Sequence, residues 1–110
     1  MNLLENEILK NKNDLIEGTF CFELFEEKIF STTSFNKLVD DIESALKNPI
    51  LKPSTELKEF LVWFVMGTMH CVICHNDSSD SYKIQNFSME NWYKTHEAKL
   101  NNVLMMLTNS

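Results

Sequence analysis

The residues best suited to chemistry in this 110-residue chain stand side by side, His70-Cys71-Val72-Ile73-Cys74-His75. Two thiols and two imidazoles are soft or borderline donors of the type and number that a tetrahedral zinc ion takes. Spacing decides which of them can converge. The segment closes a long apolar stretch that reads as helix, and successive helical residues turn by roughly 100°. Cys71, Cys74 and His75 then share a face, and His70 points away from it. A metal site would use Cys71, Cys74 and His75, completed by Cys21 or His96 from another element. The competing reading is structural: two small thiols suit core packing, and imidazoles at a helix C-terminus suit the helix dipole. The expectation is that no metal is held.

Cys71, Cys74 and His75 also match the C-x-x-C-H pattern of c-type haem attachment, in which two thiols bond the haem vinyl groups and the imidazole ligates iron. Such attachment takes place outside the cytoplasm. The N-terminus, Met1-Asn2-Leu3-Leu4-Glu5-Asn6-Glu7, has neither the basic nor the long apolar region of a secretory leader. A thioredoxin-like redox pair opens a helix, whereas this pair closes one. The cysteines number three, an odd count that argues against a disulfide framework. A cytoplasmic protein without cofactor is therefore expected, with metal or haem binding through Cys71, Cys74 and His75 as the alternative.

Carboxylates gather in two places, Glu23, Glu26 and Glu27, then Asp40, Asp41 and Glu43. Acid–base catalysis requires burial or a special neighbour to shift a carboxyl pKa, and these lie on polar helix faces. There is no Gly-rich loop, Ser elbow or Cys/His pair in an enzyme context, so the expectation is a protein that is not an enzyme. Met66, Met69, Met89, Met105 and Met106 are flexible packers that could line a groove or fill a core. Trp92, Tyr93 and Tyr82 are candidate interface anchors.

The elements that must position these groups are helices. Leu3, Leu4, Ile8 and Leu9 recur at helical spacing over Asn2 to about Lys12, with Leu15 and Ile16 extending the stripe and Asn2/Glu5 as a cap pair. Glu17-Gly18-Thr19 breaks the pattern. Phe20 to Phe30 fits either a strand (Phe20, Phe22, Leu24) or a helix (Phe22, Phe25, Ile29, Phe30). The absence of an evident strand partner favours helix. Phe35, Leu38, Val39, Ile42, Ala45 and Leu46 form a clean amphipathic stripe opposed by Asn36, Asp40, Glu43 and Lys47. From about 55 to 75 the chain is apolar nearly all round, which predicts a central helix enclosed by the others. Its longest apolar run, Phe60 to Cys74, is shorter than the roughly 20 residues of a membrane span, so no membrane is expected. Asn76 to Ser81 reads as a solvated loop, and Tyr82-Lys83-Ile84 as at most a short extended piece. Ser88 caps a last helix carrying Trp92, His96, Leu100, Val103, Leu104 and Leu107. The prediction is all-α: a single helical domain over 1–110, a small bundle of four or five helices.

Ten basic residues against sixteen acidic ones give a net charge of −6, and all ten are Lys. Nucleic acid is disfavoured as a partner, because its recognition rests on basic surface and on Arg. A cationic protein is the partner such a surface attracts.

In Leu15-Ile16-Glu17-Gly18-Thr19 leading into Phe22-Glu23-Leu24-Phe25-Glu26-Glu27, in Asp40-Asp41-Ile42-Glu43, and in size and charge, the chain resembles the small bacterial immunity proteins. These neutralise contact-dependent inhibition toxins or colicin-type nucleases. The resemblance implies a 1:1 complex in which an acidic surface covers the active site of a basic toxin, a nuclease in the first instance. On that reading Glu23, Glu26, Glu27, Asp40, Asp41 and Glu43 are the first contact candidates, and Asp77, Asp80 and Tyr82 the second. A helical adaptor or regulatory protein, with Met and aromatic residues forming its groove, is the other alternative.

Overall fold

The computed structural model describes residues 3–12 and 16–109. Five helices follow one another: α1 (Leu3–Leu9, continued by a 3-10 turn over Lys10–Lys12), α2 (Phe20–Phe25), α3 (Thr32–Leu46), α4 (Thr55–Asn76) and α5. The last is continuous but not uniform, running Met89–Asn91, a π-helical segment Trp92–His96, then Glu97–Thr108. The chain is the all-α bundle expected. The helices α1, α2 and α5 each pack against both α3 and α4.

Four helix starts are set by hydroxyl caps. Thr19, Ser31, Ser54 and Ser88 accept from the backbone N–H of Phe22, Ser34, Leu57 and Asn91, each satisfying a donor that the helix leaves unpaired. Gly18, at φ +86°, turns the chain into the first of these caps, a left-handed backbone that favours glycine. Asn2, and with it the expected Asn2/Glu5 cap pair, lies outside the described residues, while Glu5 also reaches across to α4. Its buried carboxylate accepts from the Ser54 N–H (3.1 Å) and Ser54 Oγ–H (2.7 Å), while Ser54 Oγ accepts from Leu57 N–H (3.1 Å). A carboxylate from α1 thus completes the N-cap of α4. Leaving such donors unmet in a buried place costs about 1–3 kcal/mol. Asn11 plays a similar part, its Oδ1 accepting from the Cys21 N–H at 3.1 Å.

The expected helix over Phe20–Phe30 is corrected by the structure: it stops at Phe25. Lys28 takes a left-handed backbone (φ 60°), and the chain leaves in extended form. Phe30 N–H donates to Gln85 O (3.1 Å) and Gln85 N–H donates to Lys28 O (2.7 Å), making a parallel bridge between Ile29 and Gln85. The strand partner missing from the local sequence comes from the segment before α5. Leu15 lies outside the described residues, and Ile16 is exposed.

Aromatic rings fill the core. Phe20 lies 5.3 Å from both Phe30 and Phe35 and 5.9 Å from Phe64 between ring centres. Trp92 and His96 enter this cluster because the π-helical turn, closed by the bond from Glu97 N–H to Trp92 O, directs both inward. His96 sits 5.0 Å from Phe30 and 5.2 Å from Phe35, with Nδ1 buried and unpartnered. Burial, then the nearby Lys99 ammonium, hold its pKa below the ordinary 6.5.

The sign of the pH effect follows. The unfolded chain takes up a proton near 6.5 and the folded chain only at lower pH, so the unfolded state binds more protons as acid is added. Stability should therefore fall as pH drops below about 6.5, with His75 contributing in the same direction because burial and Lys83 lower its pKa as well. Urea unfolding at pH 7.5, 6.0 and 5.0 measures the slope. His96→Phe is expected to flatten it, and an unchanged slope would show that His96 is not its source.

Candidate functional site

The thiol and imidazole groups occupy the last turns of α4, and the structure redraws their grouping. Cys74 Sγ lies 3.5 Å from His70 Nε2, four residues back on the helix. His70, set apart in the sequence reading, is thus the imidazole beside Cys74. His75 turns elsewhere: its Nδ1 accepts the Ile84 N–H at 2.9 Å, and its ring meets Phe87 edge-on at 5.0 Å. It fixes the chain after α4. His70, Cys71, Cys74 and Tyr82 line a cavity of about 230 Å³. Among the described residues no group of three or more His, Cys, Asp or Glu side chains is placed to hold a metal ion. Cys21 and His96, the possible fourth ligands, are both buried in the core.

Both thiols near this cavity have pKa values above the ordinary one. Burial pushes the Cys71 thiol up, and its partner there is the Tyr82 hydroxyl. Partial burial raises Cys74 too, and the carboxylates of Asp80 and Asp77 raise it further by opposing a thiolate.

The carboxylates proposed for partner contact have unequal freedom. Glu23 Oε1 accepts from Ser34 Oγ–H at 2.8 Å, tying α2 to the first turn of α3. Asp77 Oδ1 accepts from the N–H and hydroxyl of Ser79, which hold its carboxyl below the usual range. Asp80 Oδ1 accepts from Tyr82 N–H, and Tyr82 in turn donates its hydroxyl to Leu24 O at 2.9 Å beneath the Lys28 ammonium. These residues build the loop that joins α4 to α2. On α3, Asp41 pairs with Lys37 and Glu43 with Lys47, each at 2.8 Å and largely exposed. Glu26 ends α2 as its C-cap residue. Glu27 and Asp40 stand exposed. Of the other interface candidates, Tyr93 is exposed and Trp92 is buried.

The feature that sequence reasoning missed lies on α4 itself. The helix is not enclosed. Leu57, Phe60, Leu61, Phe64, Val65, Thr68, Cys71 and Val72 face the core. On the opposite side Val62, Trp63, Met66 and Ile73 are 45%, 40%, 67% and 64% exposed. Residues spaced 3, 4, 7, 11 and 14 positions along a helix fall on one stripe. Counted from Glu59, that stripe holds Val62, Trp63, Met66, His70 and Ile73. The uniform apolarity that predicted burial on every side concealed it. The 22-residue helix has the length and composition of a membrane span, and 44% of its most apolar window is buried inside the protein.

At pH 7.5 iodoacetamide should modify Cys74 slowly, more slowly than free cysteine, and Cys21 and Cys71 only after unfolding. Mass spectrometry of timed samples reads this directly. Rapid labelling of Cys71 in the folded protein would contradict its burial. Comparison of the chain with protein-family models, with curated proteins and with solved structures gives no match in any of the three.

Proposed function

We propose that the chain is an immunity-type binding protein that neutralises a cognate cationic toxin domain, a nuclease above all, in a 1:1 complex that bars substrate from the active site. The net charge of −6, with no Arg in the chain, is the observation that carries this reading. Opposite charge speeds encounter and selects the partner, and a nuclease must be basic where it holds its substrate. Glu27 and Asp40 offer exposed carboxylates. Asp41 and Glu43 sit in exposed ion pairs of a kind that contributes little to stability, so a partner's cation can displace the lysine. Glu23, Asp77, Asp80 and Tyr82 support the same surface by holding α2, α3 and the 77–82 loop in place. A helical adaptor with a non-toxic partner is the second reading, favoured by the apolar face of α4.

The test is recovery of the partner on the immobilised chain, followed by kinetics. The proposal expects a cationic protein that arrests growth when expressed alone and loses its activity at one equivalent of this chain. Association should slow at least tenfold between 50 and 300 mM salt, and the triple reversal Glu27→Lys, Asp40→Lys, Glu43→Lys should slow it and flatten the salt dependence. A partner that is neutral or acidic contradicts the proposal. A harmless one supports the adaptor.

A further inference from the structure

We infer that the bare face of α4 is the seat of the partner's main contact, and that it receives an amphipathic segment with apolar residues at its centre and Arg or Lys at its ends. The inference rests on the cationic-partner reading above and says where on the molecule that partner docks. The stripe runs from Glu59 to Asp77, eighteen residues or five full turns apart, about 27 Å along the axis. Its centre is apolar, with Val62, Trp63, Met66 and Ile73 exposed. Val62, Trp63 and Met66 cluster toward the N-terminal half of the stripe, and Ile73 lies beyond the exposed His70. The aromatic part is held in place. Phe25 stands edge-on to Trp63 at 5.2 Å and Phe60 lies 5.7 Å from it. Phe25 reaches that position because residue 67 is glycine; a Cβ there would come within 3.0 Å of the ring. A rigid, half-exposed Trp is the kind of side chain that dominates binding energy at interfaces.

Charge at the two ends selects the occupant. The N-terminal end carries Glu56 and Glu59 against Lys12, whose ammonium is 2.8 Å from Glu56. The C-terminal end carries Asp77 and Asp80 against Lys83, whose ammonium donates to the carbonyls of His75 and Asp77. The N-terminal end is left with a net negative charge, while at the C-terminal end Lys83 and the Lys28 ammonium over Tyr82 balance the two carboxylates. A second copy of this chain fits badly, since each copy already carries −6 and parallel pairing sets the Glu56 and Glu59 ends together. An anionic bilayer is repelled for the same reason. A cationic protein segment meets net negative charge at the Glu56 and Glu59 end, the Asp77 and Asp80 carboxylates at the other, and apolar side chains between, the arrangement of an interface with an apolar core and a polar rim. At the N-terminal end, Lys12, Glu56, Glu59, Phe60 and Trp63 line a cleft of about 290 Å³. A guanidinium entering it lies against the Trp63 ring within reach of the Glu59 carboxylate, combining cation–π attraction with a charge-assisted hydrogen bond.

The probe is a synthetic 18-residue amphipathic helical peptide with a Leu face and two Arg at each end, titrated into the labelled protein while amide and methyl shifts are followed. The expected result is saturable binding that shifts Val62, Met66 and Ile73, weakens at least tenfold in Met66→Glu and in Glu59→Lys, and changes less than twofold in Asp40→Lys. Both α4 substitutions lie at exposed positions, and thermal unfolding verifies that the variants are folded. The inference is overturned by an absence of shifts at 0.5 mM peptide, by equal affinity in Met66→Glu, or by equal binding of a peptide with Glu in place of Arg. Self-association at 0.1 mM, or sedimentation with phosphatidylglycerol vesicles, abolished by Met66→Glu, overturns it in favour of a second copy or of lipid. If the recovered cationic partner loses affinity to the Glu27/Asp40/Glu43 reversal but not to Met66→Glu, the docking face falls and the function stands. If the face binds the Glu-ended peptide better than the Arg-ended one, the cationic partner itself is wrong.

Discussion

Burial of one side of α4 is the constraint on which the rest of the molecule depends. A helix of 22 residues with apolar side chains all round can be satisfied only by neighbours, and the short elements α1 and α2 together with α5 supply them on one side. Phe60, Leu61, Phe64, Val65 and Val72 are the floor on which the core is assembled. Cutting one of these side chains back to Ala typically costs about 2–5 kcal/mol, a large share of what a domain this size has. The N-terminal anchor of the same helix is the Glu5–Ser54–Leu57 relay, and its C-terminal anchor is the bond from Ile84 N–H to His75. The first joins α4 to α1 and the second fixes the segment that follows α4, so both ends of the helix are held.

Much of this was legible in the residues. Ser88 stood at the start of a helix because a hydroxyl before an apolar periodic run offers the acceptor that a helix N-terminus lacks. The α3 stripe from Phe35 to Ala45 was legible because its polar face is truly polar, so periodicity names the buried side. The same method fails on α4. When both faces are apolar, pattern cannot say that one of them is bare, and Val62, Met66 and Ile73 look identical in kind to Leu61 and Val65. Burial there is decided by what the remaining elements can cover.

Other misreadings share that tertiary origin. Phe22 and Phe25 belong to a helix while Ile29 and Phe30 belong to an extended segment, and the switch between them depends on Gln85, more than fifty residues away. The imidazole beside Cys74 is His70, one helical turn back, while His75 is withdrawn by the Ile84 amide. A spacing argument on an isolated helix had no means of knowing which groups the following loop would claim.

The chemistry left on the surface is of two kinds, exposed carboxylate and exposed hydrocarbon, and on α4 they lie on one face. Acidic side chains draw a cationic partner from a distance, and desolvation of an apolar centre holds it once there. On the function proposed above, that division of labour is how the domain would bind a basic protein. Oxidative footprinting of Met66 in the free chain and in the complex with its recovered partner tests the central claim most directly. Protection of Met66 and Ile73 in the complex, with Met105 oxidised equally in both, is the predicted result; a Met66 that stays as reactive in the complex as in the free chain would contradict it.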